Sequence, residues 1–260
     1  MRKYLVTVCA LAIAPGVFGQ YASSVISYNA GTGAAAGFDQ PGSALGEPSR
    51  FTTHQFGGPV DPFNPPFLAE QLVSIGAGGS LTLQMAAPVR NDVVNPFGLD
   101  FIVYGNAGFM FSDFAAGKTD GTLFGADATS TRVSVSADNV TYFTLDTSLA
   151  PIFDSYFPTD GQGTFGLPVN PALANAASFN GDTLTEIRAK YAGSAGGTGF
   201  DLAWARDGSG NAIALDSINY VRLEVLAGKA EIDGLAAVPE PSAWLLTLLG
   251  VAILLRRKSA

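Results

Sequence analysis

The chain is poor in the residues that most enzyme chemistry uses. It has one cysteine, Cys9, and one histidine, His54, and Asp, Glu, Lys and Arg together make up 14% of its 260 residues. Cys9 lies inside an apolar run near the start, after Thr7 and Val8 rather than in the small-residue context of a lipoprotein cysteine, so a cleaved leader carries it away. The rest then holds no disulfide, no thiolate nucleophile and no thiolate metal site. One histidine all but excludes zinc and copper centres. His54 stands in Arg50-Phe51-Thr52-Thr53-His54-Gln55 without a G-x-S-x-G elbow, so it reads as a loop histidine with no catalytic duty. Amphipathic repeats of helix length are scarce as well, whereas glycine is abundant at 31 residues, and together these point to strands and turns.

The two ends carry the clearest signals. Met1-Arg2-Lys3 is a basic start, Leu5 to Ala14 an apolar run, and Pro15 to Gly19 leads to small residues, the pattern of a signal peptide over residues 1–19 cleaved between Gly19 and Gln20. Ala22 is the alternative site. At the other end, Val238-Pro239-Glu240-Pro241 precedes an uncharged stretch from Ser242 to Leu255 and then Arg256-Arg257-Lys258. As a helix, that stretch spans roughly 21 Å at ~1.5 Å per residue. A bilayer core is ~30 Å thick, which makes it a short transmembrane helix held by its basic end on the cytoplasmic side. Pro239 and Pro241 stop the helix from extending upstream.

Five of the 14 basic and one of the 22 acidic residues lie outside 20–238, leaving 9 against 21, a net charge of −12. An acidic body lacks the basic stripe that nucleic acid or anionic lipid requires. It is compatible with cations or a neutral polysaccharide, and solubility alone also accounts for it.

Residues 20–71 contain one strand candidate, Val25 to Tyr28, and a Pro/Gly-rich loop expected to belong to the body that follows. The body, 72–237, opens with Leu72 to Ile75 and Ser80 to Met85, which alternate apolar and polar across Gly76 to Gly79 and predict a hairpin with one buried face. Leu99 to Tyr104 is nearly all apolar and predicts a central strand covered on both faces. Arg132 to Ser136 and Thr141 to Leu145 flank Asp138-Asn139 as a second hairpin. Leu184 to Tyr191 predicts one helix, with Thr183 as N-cap and Glu186 completing a capping box. Ile218 to Leu226 and Ala230 to Val238 form the last pair of strands. The fold class expected is all-β, an antiparallel β-sandwich with long loops, between an N-terminal signal helix and the C-terminal transmembrane helix.

Val238-Pro239-Glu240-Pro241 with the apolar run and the basic end resembles the PEP-CTERM sorting signal of Gram-negative bacteria, over residues 238–260. The resemblance implies export, transient anchoring in the inner membrane, processing by the membrane enzyme exosortase after signal peptidase, and a place at the cell surface or in the extracellular matrix. An ordinary single-pass anchor is the alternative. Val133-Ser134-Val135-Ser136-Ala137-Asp138-Asn139-Val140-Thr141-Tyr142 resembles the V-x-V-S-x-D-G-x-x-[WFY] hairpin of discoidin-like jelly rolls of the galactose-binding type. Asn139 stands where Gly is usual, and Asn tolerates the left-handed turn conformation. Tyr220 to Val225 followed by Ala230 to Leu235 looks like the closing strands of that superfamily. Asp100 to Asn106 with Gly197 to Leu202 is similar to bacterial surface proteins of the same fold. The superfamily hosts glycan, lipid and protein binders as well as structural modules.

No pair of carboxylates stands in a glycosidase pattern, and a non-enzymatic role is expected. Asp207-Gly208-Ser209-Gly210-Asn211 has oxygen donors at alternate positions but lacks the later Glu of a calcium loop, so it reads as a hairpin turn. No cofactor is expected, and a structural calcium has no residues assigned to it. Tyr191, Phe200 and Trp204 are the rings singled out for ligand contact, with Tyr104, Phe109 and Phe111 also near proposed loop ends; core packing is the commoner use of such rings. The expected function is an exported, polysaccharide-associated binding module. The alternatives are a structural or adhesive surface protein with no small ligand, and a polysaccharide hydrolase.

Overall fold

A computed structural model of the chain describes residues 20–125, 130–149, 157–173 and 175–240. The expected signal region, with Gly19, lies outside these residues, as do Pro241, the apolar run and Arg256, Arg257 and Lys258. Among the described residues no helix is long and apolar enough to cross a membrane.

The described residues form an all-β protein with antiparallel sheets and one α-helix, α1 (Leu184–Tyr191). In chain order the strands are β1 (Ala22–Asn29), β2 (Phe51–Thr52), β3 (Gly58–Pro59), β4 (Val73–Gly76), β5 (Ser80–Arg90), β6 (Phe101–Gly105), β7 (Gly108–Asp113), β8 (Lys118–Phe124), β9 (Ser130–Ser136), β10 (Phe143–Leu145), β11 (Thr198–Phe200), β12 (Ala205–Arg206), β13 (Ser217–Ala227) and β14 (Lys229–Ala237). A six-stranded sheet has the order β1-β5-β13-β9-β10-β12, and a four-stranded sheet has the order β11-β6-β14-β4. Short two-stranded pieces join β2 to β3 and β7 to β8.

The two large sheets share one core. Leu81, Leu83, Val133, Val135, Val221 and Leu223 of the six-stranded sheet pack in one cluster with Val73, Ile75, Phe101, Val103, Ile232 and Leu235 of the four-stranded sheet. On β13 the alternation is strict from Val221 to Val225, because successive side chains in a strand point to opposite faces. β6 instead buries Phe101 through Tyr104 on both faces, as its continuous apolar run predicts. Ile102, Tyr104 and Ala236 meet Phe165, Ala195 and Val238 on the far side of the four-stranded sheet, so that face too is covered.

A third cluster forms an annex. Phe109 of β7 packs with Phe157, Val169 and Phe179 and with Ile187 and Tyr191 of α1. Gly108 admits this packing: a Cβ there would stand 2.6 Å from the Phe124 ring and 2.9 Å from Pro65. α1 begins as expected. Thr183 accepts the Glu186 amide, the Glu186 carboxylate accepts the Thr183 amide at 2.8 Å, and Ala192 closes the helix in the left-handed conformation.

Two pairings expected from the sequence are corrected. β4 and β5 are not a hairpin: β4 pairs with β14 and β5 with β1 and β13, so the Gly76–Gly79 link crosses from one sheet to the other. The alternation misled because Ser74, polar in sequence, is fully buried and accepts the Ala35 amide at 2.9 Å. β13 and β14 likewise belong to different sheets rather than pairing with each other. The β9–β10 hairpin is present, with Asn139 at φ +62°. The β7–β8 hairpin lies in a stretch for which the sequence predicts no strands.

Candidate functional site

Among the described residues the outward face of the six-stranded sheet is more open than that of the four-stranded sheet, although Thr82, Ser134 and Ser136 on it are buried. Its side chains follow from register. Tyr220 stands between Gln84 and Ser136; Arg222 stands between Thr82 and Ser134; Glu224 stands between Ser80 and Arg132. The Arg222 row continues through Thr144 to Arg206. Gln84, Tyr220, Arg222, Glu224, Thr144 and Arg206 are half-exposed and Arg132 is exposed. The outward residues Ser74, Ile102, Tyr104, Glu231 and Asp233 of the four-stranded sheet are all buried.

Arg222 is the centre of this face. The 137–142 turn lays Tyr142 beside it, with the guanidinium carbon 3.7 Å from the ring centroid. Its Nε donates to Thr82 Oγ1 at 3.2 Å. Among the described residues no carboxylate lies within ion-pair distance of Arg222, whereas Arg132 reaches Glu224 at 3.7 Å and Arg206 reaches Asp146 at 3.6 Å. The turn is fixed by its own hydrogen bonds. Asp138 accepts the Val140 and Thr141 amides at 2.9 and 2.8 Å, and the Tyr142 hydroxyl donates to Asn139 Oδ1 at 2.5 Å. Those amides hold the Asp138 carboxyl below its usual range, so the turn stays charged and closed. Burial pushes the Tyr142 phenol up, against the lowering effect of Arg222. The result is a stacked guanidinium of fixed orientation among hydroxyls, an amide and a second tyrosine, an arrangement suited to polar ligands with ring faces.

The rings singled out from the sequence lie elsewhere. Phe200 is 0% exposed and stacks on Phe101 at 5.2 Å. Tyr191 is 2% exposed and donates its hydroxyl to the Pro158 carbonyl at 2.8 Å. Neither ring has a free face for a sugar; both are core. Trp204 is half-buried, packs against the main core and meets Phe200 edge to face at 6.4 Å. Tyr104 and Phe109 are also fully buried. Phe111 is partly exposed and stacks on Phe63 at 4.4 Å, with Phe114 against it at 5.1 Å.

His54 is an exposed loop residue between Phe56 and Phe67, at 5.7 and 5.6 Å. Asp207 closes a tight turn by accepting the Ser209 and Asn211 amides at 2.8 and 2.9 Å, which occupies the oxygen a calcium loop would use. Among the described residues no three His, Cys, Asp or Glu side chains are grouped to hold a metal ion.

The buried carboxylates are tied into the structure. Asp233 accepts the Ser49 amide and hydroxyl at 2.8 and 2.7 Å, yet burial raises its pKa to about 7. Asp100 accepts the Leu202 amide at 2.8 Å, the Asp92 amide at 3.1 Å and the Asn95 side chain at 3.0 Å, and burial raises its pKa to about 6. Asp160 is clasped by Arg188 at 2.7 and 3.1 Å.

The described part of the expected sorting element is docked on the body. Val238 is buried and its amide donates to the Asp100 carbonyl at 2.8 Å; Pro239 is exposed; Glu240 pairs with Arg90 at 3.1 Å. The Ala237 amide donates to the Gln20 carbonyl at 2.6 Å, and the Gln20 side chain bonds to the Phe165 carbonyl. The expected mature N-terminus and the expected sorting element therefore meet at one edge.

The open sheet face was not read from the sequence. Its signal is present on β13, where Tyr220, Arg222 and Glu224 interrupt an apolar alternation, but the partner Tyr142 comes from a turn 80 residues earlier. In comparisons with protein-family models and with curated proteins, nothing matches the chain.

Proposed function

We propose that the chain is an exported surface protein, delivered by a signal peptide over 1–19 and a PEP-CTERM-type tail over 238–260. Its body is a non-enzymatic sandwich of the galactose-binding type that associates with extracellular polysaccharide. The observation carrying this reading is the contrast between the sheets: one outward face is sealed by loops, and the other presents Gln84, Tyr142, Thr144, Tyr220 and Arg222 to solvent. Sugar rings need an aromatic or guanidinium plane with hydrogen-bonding groups around it, and this face supplies both. The meeting of Gln20 with Ala237 supports the delivery reading, since both trimmed ends then leave the body at one edge.

The test is a glycan array with the full-length chain in mild detergent, in the presence of calcium and of chelator. Retention on matrix-type polysaccharides, lowered by substitution of Tyr220 or Gln84, is the expected result. Absence of retention on every glycan would discard the binding reading. Mass analysis of surface material tests delivery: protein still carrying Trp244 to Ala260 points to a permanent anchor.

A second reading, a structural or adhesive protein, is favoured by the β7–β8 hairpin. Phe114 is 82% exposed at its turn with Phe111 against it at 5.1 Å, and Met110 and Phe124 are partly exposed farther along the hairpin. Loss of cell cohesion in Phe114→Asp, with glycan retention intact, would select it.

A further inference from the structure

We propose that the open sheet face recognises a carboxylate-bearing polysaccharide, a polymer of uronic acid units, with Arg222 as the residue that reads the carboxylate. This rests on the polysaccharide-binding reading and names the class of glycan. Three observations carry it. First, Arg222 has no carboxylate partner among the described residues, while the two other arginines on its face each have one. Second, its orientation is fixed before any ligand arrives, by the Tyr142 ring at 3.7 Å and by Thr82 Oγ1 at 3.2 Å. The hydrogen bond to Thr82 uses Nε and the Tyr142 side chain takes up part of the guanidinium, but no carboxylate among the described residues pairs with the terminal Nη groups, which suit a two-pronged contact with a planar carboxylate. Third, the charges around it are spaced along the sheet. Arg206 lies three strands away in the same row, roughly 14 Å at ~4.8 Å per strand, and Arg132 lies one strand over and two residues along. Both hold their acidic partners loosely, at 3.6 and 3.7 Å and in partly exposed pairs, which cost little to exchange for a carboxylate on a polymer.

The net charge of −12 on residues 20–238 favours a neutral partner by itself. That is a far-field quantity, and charges more than ~8 Å away are largely screened at physiological salt. The groups touching the ligand decide its class. On this face Arg132, Arg206 and Arg222 are matched in number by Glu224, Asp146 and Asp138, but Asp138 is turned to its own turn amides and Arg222 is left without an ion-pair partner among the described residues.

The experiment measures retention of the full-length chain, in mild detergent with chelator, on three immobilised polymers: polygalacturonate, its methyl ester and dextran. Polygalacturonate should bind about tenfold or more tightly than the ester, because esterification keeps the ring and removes the charge that Arg222 reads. Arg222→Met should abolish that difference, and Arg222→Lys should restore part of it, since a lysine keeps the charge and loses the fork. Equal binding of polygalacturonate and its ester overturns this inference and leaves the polysaccharide reading standing; that comparison needs no variant. Preference for polygalacturonate that survives Arg222→Met overturns the role of Arg222. Binding to none of the three, together with an empty glycan array, overturns both readings.

Discussion

The two large sheets are built from similar strands and contribute to the same core, but their outward faces have opposite fates. On the four-stranded sheet the outward residues are all buried: Ile102 and Tyr104 pack with Phe165 and Ala195, Asp233 bonds to Ser49, Ser74 to Ala35 and Glu231 to Asn106. Every polar group there needs a partner, because a buried donor or acceptor without one costs about 1–3 kcal/mol. On the six-stranded sheet Gln84, Tyr220 and Arg222 reach solvent, where polar groups are satisfied by water and are free to exchange it for a ligand. The covered face is built into the fold, and the open face keeps polar side chains in contact with solvent.

Paired substitutions at outward positions of the two sheets break that comparison most directly. Tyr104→Ala removes a fully buried ring packed edge to face on Phe165 at 4.9 Å, and should cost about 3–5 kcal/mol in urea unfolding. Tyr220→Ala on the open face should cost under about 0.5 kcal/mol. Equal losses would mean that the six-stranded face is covered as well.

The next largest effect is in pH. Asp233 and Asp100 hold their protons more tightly folded than unfolded, with folded values near 7 and 6. Between about pH 4 and those values the folded state therefore carries the extra proton, so stability falls as pH rises and levels off above about 7. Thermal unfolding should show a higher midpoint at about pH 5 than at pH 7. Asp233→Asn should flatten the upper part of that fall, and an unchanged slope would place the titrating group elsewhere.

Smaller effects sharpen the contrast. Ser74→Ala strips the Ala35 amide of its acceptor and should cost about 1–2 kcal/mol in the same unfolding assay. Tyr142→Ala on the open face removes a cation–π contact, worth about 0.5–1 kcal/mol, and the exposed hydrogen bond to Asn139 Oδ1. Its larger consequence should be weaker retention on polygalacturonate, because Arg222 loses its seat.

Legibility in the sequence followed the range of the interactions. β6 was readable because a run buried on both faces is apolar throughout. The turn at Asp138-Asn139 and the cap at Thr183 were readable because their hydrogen bonds close within three residues. The β4–β5 pairing was misread because a buried, hydrogen-bonded Ser74 looks the same in sequence as a solvent-facing one. The β7–β8 hairpin is hard to see in the sequence because Phe109 and Phe111 read as loop aromatics; their period of two is the available signal. Tyr191 and Phe200 were singled out as ligand contacts because they lie at element ends, and only the packing of the annex and the stacked Phe101 ring reveal them as core.

By itself the sequence determined the all-β class, the helix and its cap, the hairpin turn and the scarcity of cysteine and histidine chemistry, since each depends on composition or on neighbours a few residues apart. The tertiary structure alone decided which strands share a sheet, which outward face is sealed, and that Tyr142 seats Arg222. Those outcomes depend on contacts between residues tens of positions apart, and a strand's own alternation records that it has two faces without recording what covers either.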